Sequence, residues 1–140
     1  MGAIRFTTAG STSEIAPVTN IQIDLLGATG NNLDIDWDNA YLGDLEINLG
    51  SGPRVVSFTG DDNSTAGSLA INAGSGDQIV NLATTNAFSV GGEVSIDLGA
   101  GADEFTDSGN DVSVGGDFTA TGVNTYINNC LLYTSDASDE

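Results

Sequence analysis

At 140 residues the chain suits one domain or one slice of a repeat array, and its 39% hydrophobic content supplies a core of Val, Ile, Leu and Ala because aromatics reach only 6%. Two Lys+Arg residues face 20 Asp+Glu with no histidine, and the formal charge of −18 disfavours nucleic acid and anionic membrane surfaces as partners. That charge fits a solvated surface resistant to aggregation, divalent-cation binding, or a salty medium that screens the repulsion.

In chain order, the first apolar stretch is Ile4-Arg5-Phe6-Thr7, which reads as the remnant of an earlier coil. Ile21-Gln22-Ile23-Asp24-Leu25 alternates like a half-buried strand, and Leu33-Asp34-Ile35-Asp36-Trp37 and Tyr41-Leu42-Gly43 follow it. Leu45 to Leu49 alternates again and ends in Gly50-Ser51-Gly52. Val55 to Phe58 comes next, then a polar turn at Gly60-Asp61-Asp62-Asn63. Leu69 to Gly76, Ile79 to Leu82 and Phe88 to Gly92 repeat that order. Val94 to Gly101 starts it a further time, with only Phe105-Thr106 as its second run, a turn at Ser108-Gly109-Asn110-Asp111 and Val112 to Gly116 as its third. A last copy starts at Phe118.

The shared pattern is apolar-x-apolar-[Asn/Asp]-x-Gly-[Ser/Ala]-Gly, with starts at 21, 45, 69, 94 and 118. A unit of about two dozen residues cannot bury its own apolar face, so units stack and each strand pairs with its counterpart in the next. The expected fold is all-β: a right-handed parallel β-helix of about five coils of 24 residues, over residues 1–129, with the crossover rule setting the hand. A β-propeller or a sandwich of hairpins is the alternative, and it lacks the Asn-Gly two-residue turns that join hairpins. Stacking predicts an inward column Ile23, Ile47, Ile71, Ile96 beside Leu45, Leu69, Val94. It also predicts an outward column Asp24, Asn48, Asn72, Asp97, in which amides hydrogen-bond up the stack and separate the carboxylates. That column reads as structural rather than as a metal site. The 19 glycines with two prolines read as corners that need positive φ or close backbone approach.

Gly99-Ala100-Gly101-Ala102-Asp103-Glu104-Phe105 resembles the Gly-x-Gly-x-Asp-x-apolar core of the calcium-binding RTX repeats. The resemblance implies a calcium site drawing on Asp103, Asp107 and Asp111, with calcium as a possible but not a required cofactor. Two departures bear on it: the aligned positions hold Gln78 and Arg54, and the RTX pattern recurs every nine residues. Gly60-Asp61-Asp62 resembles the paired aspartates of galacturonase-type β-helices, which makes a carbohydrate-active β-helix fragment a further alternative. The histidine and Arg-x-Lys motifs of those enzymes are missing, and Cys130 has no histidine partner, so no catalytic residues are expected.

SVGGEVSIDLGAGADEF and DLEINLGSG resemble long extracellular repeat proteins of marine and planctomycete-like bacteria, built from Val-Gly-Gly-x-Leu-x-Ile-Asn-x-Gly-x-Gly units. The resemblance covers residues 21–125 and implies a secreted or cell-surface stalk or adhesin, not an enzyme, meeting glycans or other surface proteins. No apolar run is long enough to cross a membrane as a helix, and the N-terminus does not read as a signal peptide. CLLYTSDASDE, residues 130–140, resembles the peptide CLLYTSDAADE encoded by a transposase sequencing adaptor, which implies a metagenomic reading frame cut by its read; the alternative is a genuine C-terminal strand, Leu131-Leu132-Tyr133, followed by an acidic end. Neither end carries a recognisable polar cap, so marginal stability or end-to-end self-association is expected.

Overall fold

The computed structural model describes residues 4–8, 11–15, 20–26, 32–36, 43–59, 62–108, 111–128 and 131–134, with side chains described over 20–26, 32–35, 43–59, 64–108 and 112–127. These residues form a right-handed parallel β-helix. The first sheet holds β3 (Ile21–Leu25), β5 (Leu45–Leu49), β8 (Leu69–Asn72), β11 (Val94–Asp97) and β14 (Phe118–Thr121). The second holds β4 (Leu33–Asp36), β6 (Arg54–Thr59), β9 (Gln78–Leu82), β12 (Glu104–Asp107) and β15 (Thr125–Asn128). The third holds β7 (Asp62–Thr65), β10 (Ala87–Val90), β13 (Asp111–Val114) and β16 (Leu131–Thr134). Four coils therefore carry three strands each, and the first carries two among the described residues; its expected third run, Tyr41-Leu42, lies outside them.

Register follows the period read from the sequence. Ile21 pairs with Leu45, Leu45 with Leu69, Leu69 with Val94 and Val94 with Phe118, all parallel. Parallel pairing throughout the coils rules out the propeller and the hairpin sandwich, both of which need antiparallel neighbours. Two local expectations are corrected. Asp62, expected in a turn, opens β7 because it pairs with Ala87, and Asp111 opens β13 by pairing with the same residue from the other side. The short run at Phe105-Thr106 widens to four residues, since Glu104 and Asp107 pair with Ile79 and Leu82.

The core fills the space between the sheets. Ile47, Ile71 and Ile96 are at most 1% exposed and lie over one another, and Leu45, Leu69 and Val94 form the neighbouring column. From the second sheet come Leu33, Val56, Val80 and Phe105, and beside them Ile35, Phe58 and Leu82. Aromatic rings join the sheets across the interior: Phe58 meets Phe88 of the third sheet edge-on at 5.2 Å, and Phe105 meets Phe118 of the first at 5.7 Å. Edge-to-face contact sets the positive rim of one ring against the negative face of the other.

The N-terminal end departs from the expectation. Ile4–Thr8 is not the remnant of an earlier coil: as β1 it runs antiparallel to β4, with Phe6 opposite Ile35, and β2 (Ser11–Ile15) folds back on it as a hairpin. A parallel strand needs a crossover of a dozen or more residues, whereas an antiparallel one needs a tight turn, and only two residues separate β1 from β2. The hairpin covers the second sheet's first edge, where no cap was expected.

At the other end Leu131–Thr134, inside the adaptor-like peptide, pairs parallel with β13, with Leu131 opposite Asp111. That step is 20 residues, shorter than the 24 between Ala87 and Asp111.

Candidate functional site

Three groups of polar side chains recur at fixed places on the coil. The first is the outward column of the first sheet. Asn48 Nδ2 donates to Asp24 Oδ1 at 2.8 Å, and Asn72 Nδ2 donates to Asn48 Oδ1 at 3.0 Å, so the expected amide ladder is present and points one way. An amide can both donate and accept, which lets it occupy the middle of such a column, whereas an ionised carboxylate only accepts and must end it. Asp24 ends it at the bottom. At the top, Asp97 Oδ1 instead accepts from the backbone N–H of Gly99 at 3.1 Å.

The Asn48 amide, followed by that of Gln22, holds the exposed Asp24 carboxyl below its ordinary value of 3.8. A carboxyl depressed in the fold contributes stability that is fully present above the unfolded value and is lost as pH falls from there through the folded value. Asn48→Ala should return Asp24 toward 3.8 in a carbon-detected NMR titration. Asn48→Asp should lower Tm, and added salt should restore part of the loss, because it sets a carboxylate between Asp24 and Glu46.

The second group guards the entrance to the first sheet. The N–H of Asp44 donates to Asn20 Oδ1 at 3.0 Å, that of Ser68 to Asp44 Oδ1 at 2.9 Å, and that of Glu93 to Ser68 Oγ at 3.2 Å. Each corner's backbone donor is thus satisfied by the side chain one coil below.

The third group is buried at the entrance to the second sheet. Arg54 pairs with Gln78, and the register places Asp103 above Gln78; the three are at most 3% exposed. Strand alternation explains the burial. Val56, Val80 and Phe105 face inward, so the residues two positions earlier do too. Gln78 Nε2 donates to the carbonyls of Gly52 at 2.7 Å and Gly76 at 3.3 Å, and the N–H of Gln78 donates to Asp103 Oδ1 at 2.8 Å. Asp103 is tied upward as well: its N–H donates to Asn124 Oδ1 at 2.8 Å, and its carbonyl accepts from the N–H groups of Asn124 and Thr125. Asp103 Oδ2 is buried and accepts no hydrogen bond among the described residues. Outside this column Asn32, Pro53, Arg54, Val55, Asp77 and Ile79 line an open concavity of about 190 Å³.

The three carboxylates proposed for calcium occupy different places. Asp103 precedes β12, Asp107 closes it, and Asp111 opens β13 in another sheet, with its side chain outside the described residues. Asp107 lies four residue steps beyond Asp103 along the strand, or about 13 Å of rise. Asp107 is 1% exposed because it continues the inward column Ile35, Phe58, Leu82. No group of three or more His, Cys, Asp or Glu side chains suited to a metal occurs among the described residues. The Gly60-Asp61 half of the galacturonase-like motif lies outside those residues, as does the side chain of Asp62.

The repeat alignment puts Arg54, Gln78 and Asp103 at one position, and the inward-facing Val56, Val80 and Phe105 two residues on are the sequence signal that they are buried. No protein-family model, curated protein or solved structure matches the chain, so the stacked geometry alone carries the functional reading.

Proposed function

We propose that the chain is a structural repeat segment of a secreted or cell-surface bacterial protein, a stalk or adhesive spacer without catalysis, and that residues 130–140 derive from a sequencing adaptor. One observation supports this above others: the polar side chains at recurring positions are spent on the neighbouring coil. The Asp24, Asn48, Asn72 ladder, the Asn20, Asp44, Ser68 corner and the Gln78, Asp103, Asn124 column all join one level to the next. A catalytic site instead holds polar groups convergent on a cleft and uncommitted to the scaffold. Glycoside hydrolysis in particular needs two carboxyls at a set separation of roughly 5 to 10 Å across a substrate groove. Asp103 and Asp107, the buried pair, lie farther apart than that and face the core.

The test is to delete one unit, residues 69–93, and to assay the parent chain against acidic polysaccharides. A spacer keeps its β-sheet circular dichroism after the deletion and shortens by about 4.8 Å, one strand spacing, in solution scattering. Loss of the fold on deletion, or cleavage of any polysaccharide by the parent, would defeat the proposal.

A second reading, a calcium-stabilised RTX-like module, draws on Asp103 Oδ2, a buried oxygen with no donor among the described residues. Under it, millimolar calcium raises Tm by several degrees and Asp103→Ala abolishes the rise; an unchanged Tm removes calcium from the account.

A further inference from the structure

Away from its two ends, the outer surface of the coil is polar at nearly every described position. Outward side chains on the first sheet are Gln, Asp, Glu, Asn, Ala, Ser or Thr, and on the third they are Ser64, Ala87, Ser89 and Ser113. The second sheet breaks the rule. Val55 and Ile79 point outward, because the neighbouring Val56 and Val80 are buried, and the two pair in register on β6 and β9. Both are half-buried. Described strands flank the pair above and below, so this patch is not the open end of a sheet.

Val55 and Ile79, with Asn32, Pro53 and Asp77, line the open concavity described above. Arg54 also borders it, but that residue belongs to the buried column and is 3% exposed. Asp77 Oδ1 accepts from the N–H of Ala102 at 2.9 Å, which anchors the carboxylate to the coil above and leaves its second oxygen for an incoming donor. Further acid flanks the apolar pair. Glu104 follows Ile79 in the same outward column, and Asp34 lies exposed in the adjoining one. No cationic side chain is exposed among the described residues.

We infer that this concavity docks a lysine side chain of a partner protein. The aliphatic stem covers Val55 and Ile79 and takes their apolar surface out of water, while the ammonium meets Asp77. Charge selects a cation. The chain carries −18, which attracts a basic partner and repels acidic glycans. An uncharged apolar group gains nothing from that field and leaves Asp77 to water. Geometry selects lysine over arginine. A guanidinium binds best through two parallel bonds to both oxygens of one carboxylate, and one oxygen of Asp77 is already committed to Ala102. An ammonium is a compact point charge and needs only the other. The contact suits the adhesive role proposed above and does not require it, since any β-helix with this surface would carry the site.

Methyl-resolved NMR of the full chain, titrated with n-butylammonium as a lysine side chain without its backbone, tests this. The half-probes are 1-butanol, which lacks the charge, and ammonium, which lacks the stem. Butylammonium should shift the Val55 and Ile79 methyls saturably, and each half-probe should bind there more weakly. Asp77→Asn, which keeps an oxygen for Ala102, should weaken butylammonium by about fivefold, the upper end for one exposed ion pair. Ile79→Ser, at an outward position, should weaken it as well. N-acetyl-lysine amide should bind more tightly than N-acetyl-arginine amide. Five results would each overturn the inference: no saturable shift, 1-butanol binding as tightly as butylammonium, variants that change nothing, equal shifts at the amides of Asp24, Glu46 and Asp97, or no preference for lysine over arginine.

Discussion

Ile71→Ala should lower the free energy of unfolding by about 4 kcal/mol in urea titration, near the upper part of the range for deleting a buried Ile side chain. Ile71 is 0% exposed and has Ile47 below and Ile96 above it in register. A cavity there is walled by strands bonded on both sides, and these cannot collapse into it without breaking the register of the first sheet. The cavity cost therefore adds in full to the lost transfer energy. Ile23→Ala is the internal comparison. Ile23 occupies the same column one level below Ile47 but is only half-buried, so its truncation should cost about half as much. Equal losses at the two positions would mean that the columns are not stacked as described.

Gly99→Ala should destabilise by about 3 kcal/mol or prevent folding, from two separable causes. Its φ of +73° lies in the left-handed region, where a side chain costs about 1–2 kcal/mol. A Cβ there would also overlap the carbonyl oxygen of Gly74 in the coil below, and backbone held in a parallel stack has nowhere to move. Gly74→Ala is the control. At Gly74 φ is not in the left-handed region and an added Cβ would press on the Gly50 backbone at 3.3 Å without overlapping it, so the change should cost clearly less than Gly99→Ala. If the two alanines prove equally harmful, neither φ nor coil spacing is what selects glycine at this corner.

The fold was legible because a solenoid reduces a three-dimensional problem to one dimension. The neighbour of any coil residue is its counterpart about two dozen positions away, so aligning the repeats wrote out the contacts between levels. The Ile47, Ile71, Ile96 column and the amide ladder from Asp24 to Asn72 both follow from that alignment. Alternation in β6, β9 and β12 also held the burial of Arg54, Gln78 and Asp103, but an arginine, a glutamine and an aspartate after glycine-rich corners resemble solvated loop.

Periodicity alone determined the architecture, the inward and outward columns, and the amide-spaced carboxylates on the first sheet. Tertiary structure decided the places where the repeat stops repeating. It turned Ile4–Thr8 against the coil direction, antiparallel to β4, and the two-residue link then folds β2 back along it. It sent Asp107 inward, because register with Leu82 outweighed the side chain's own preference for water. It left Tyr126 exposed in a column whose other members are buried. In each case the outcome depends on what lies above or below in space, and a residue at the end of a stack has no counterpart in the sequence to supply that information.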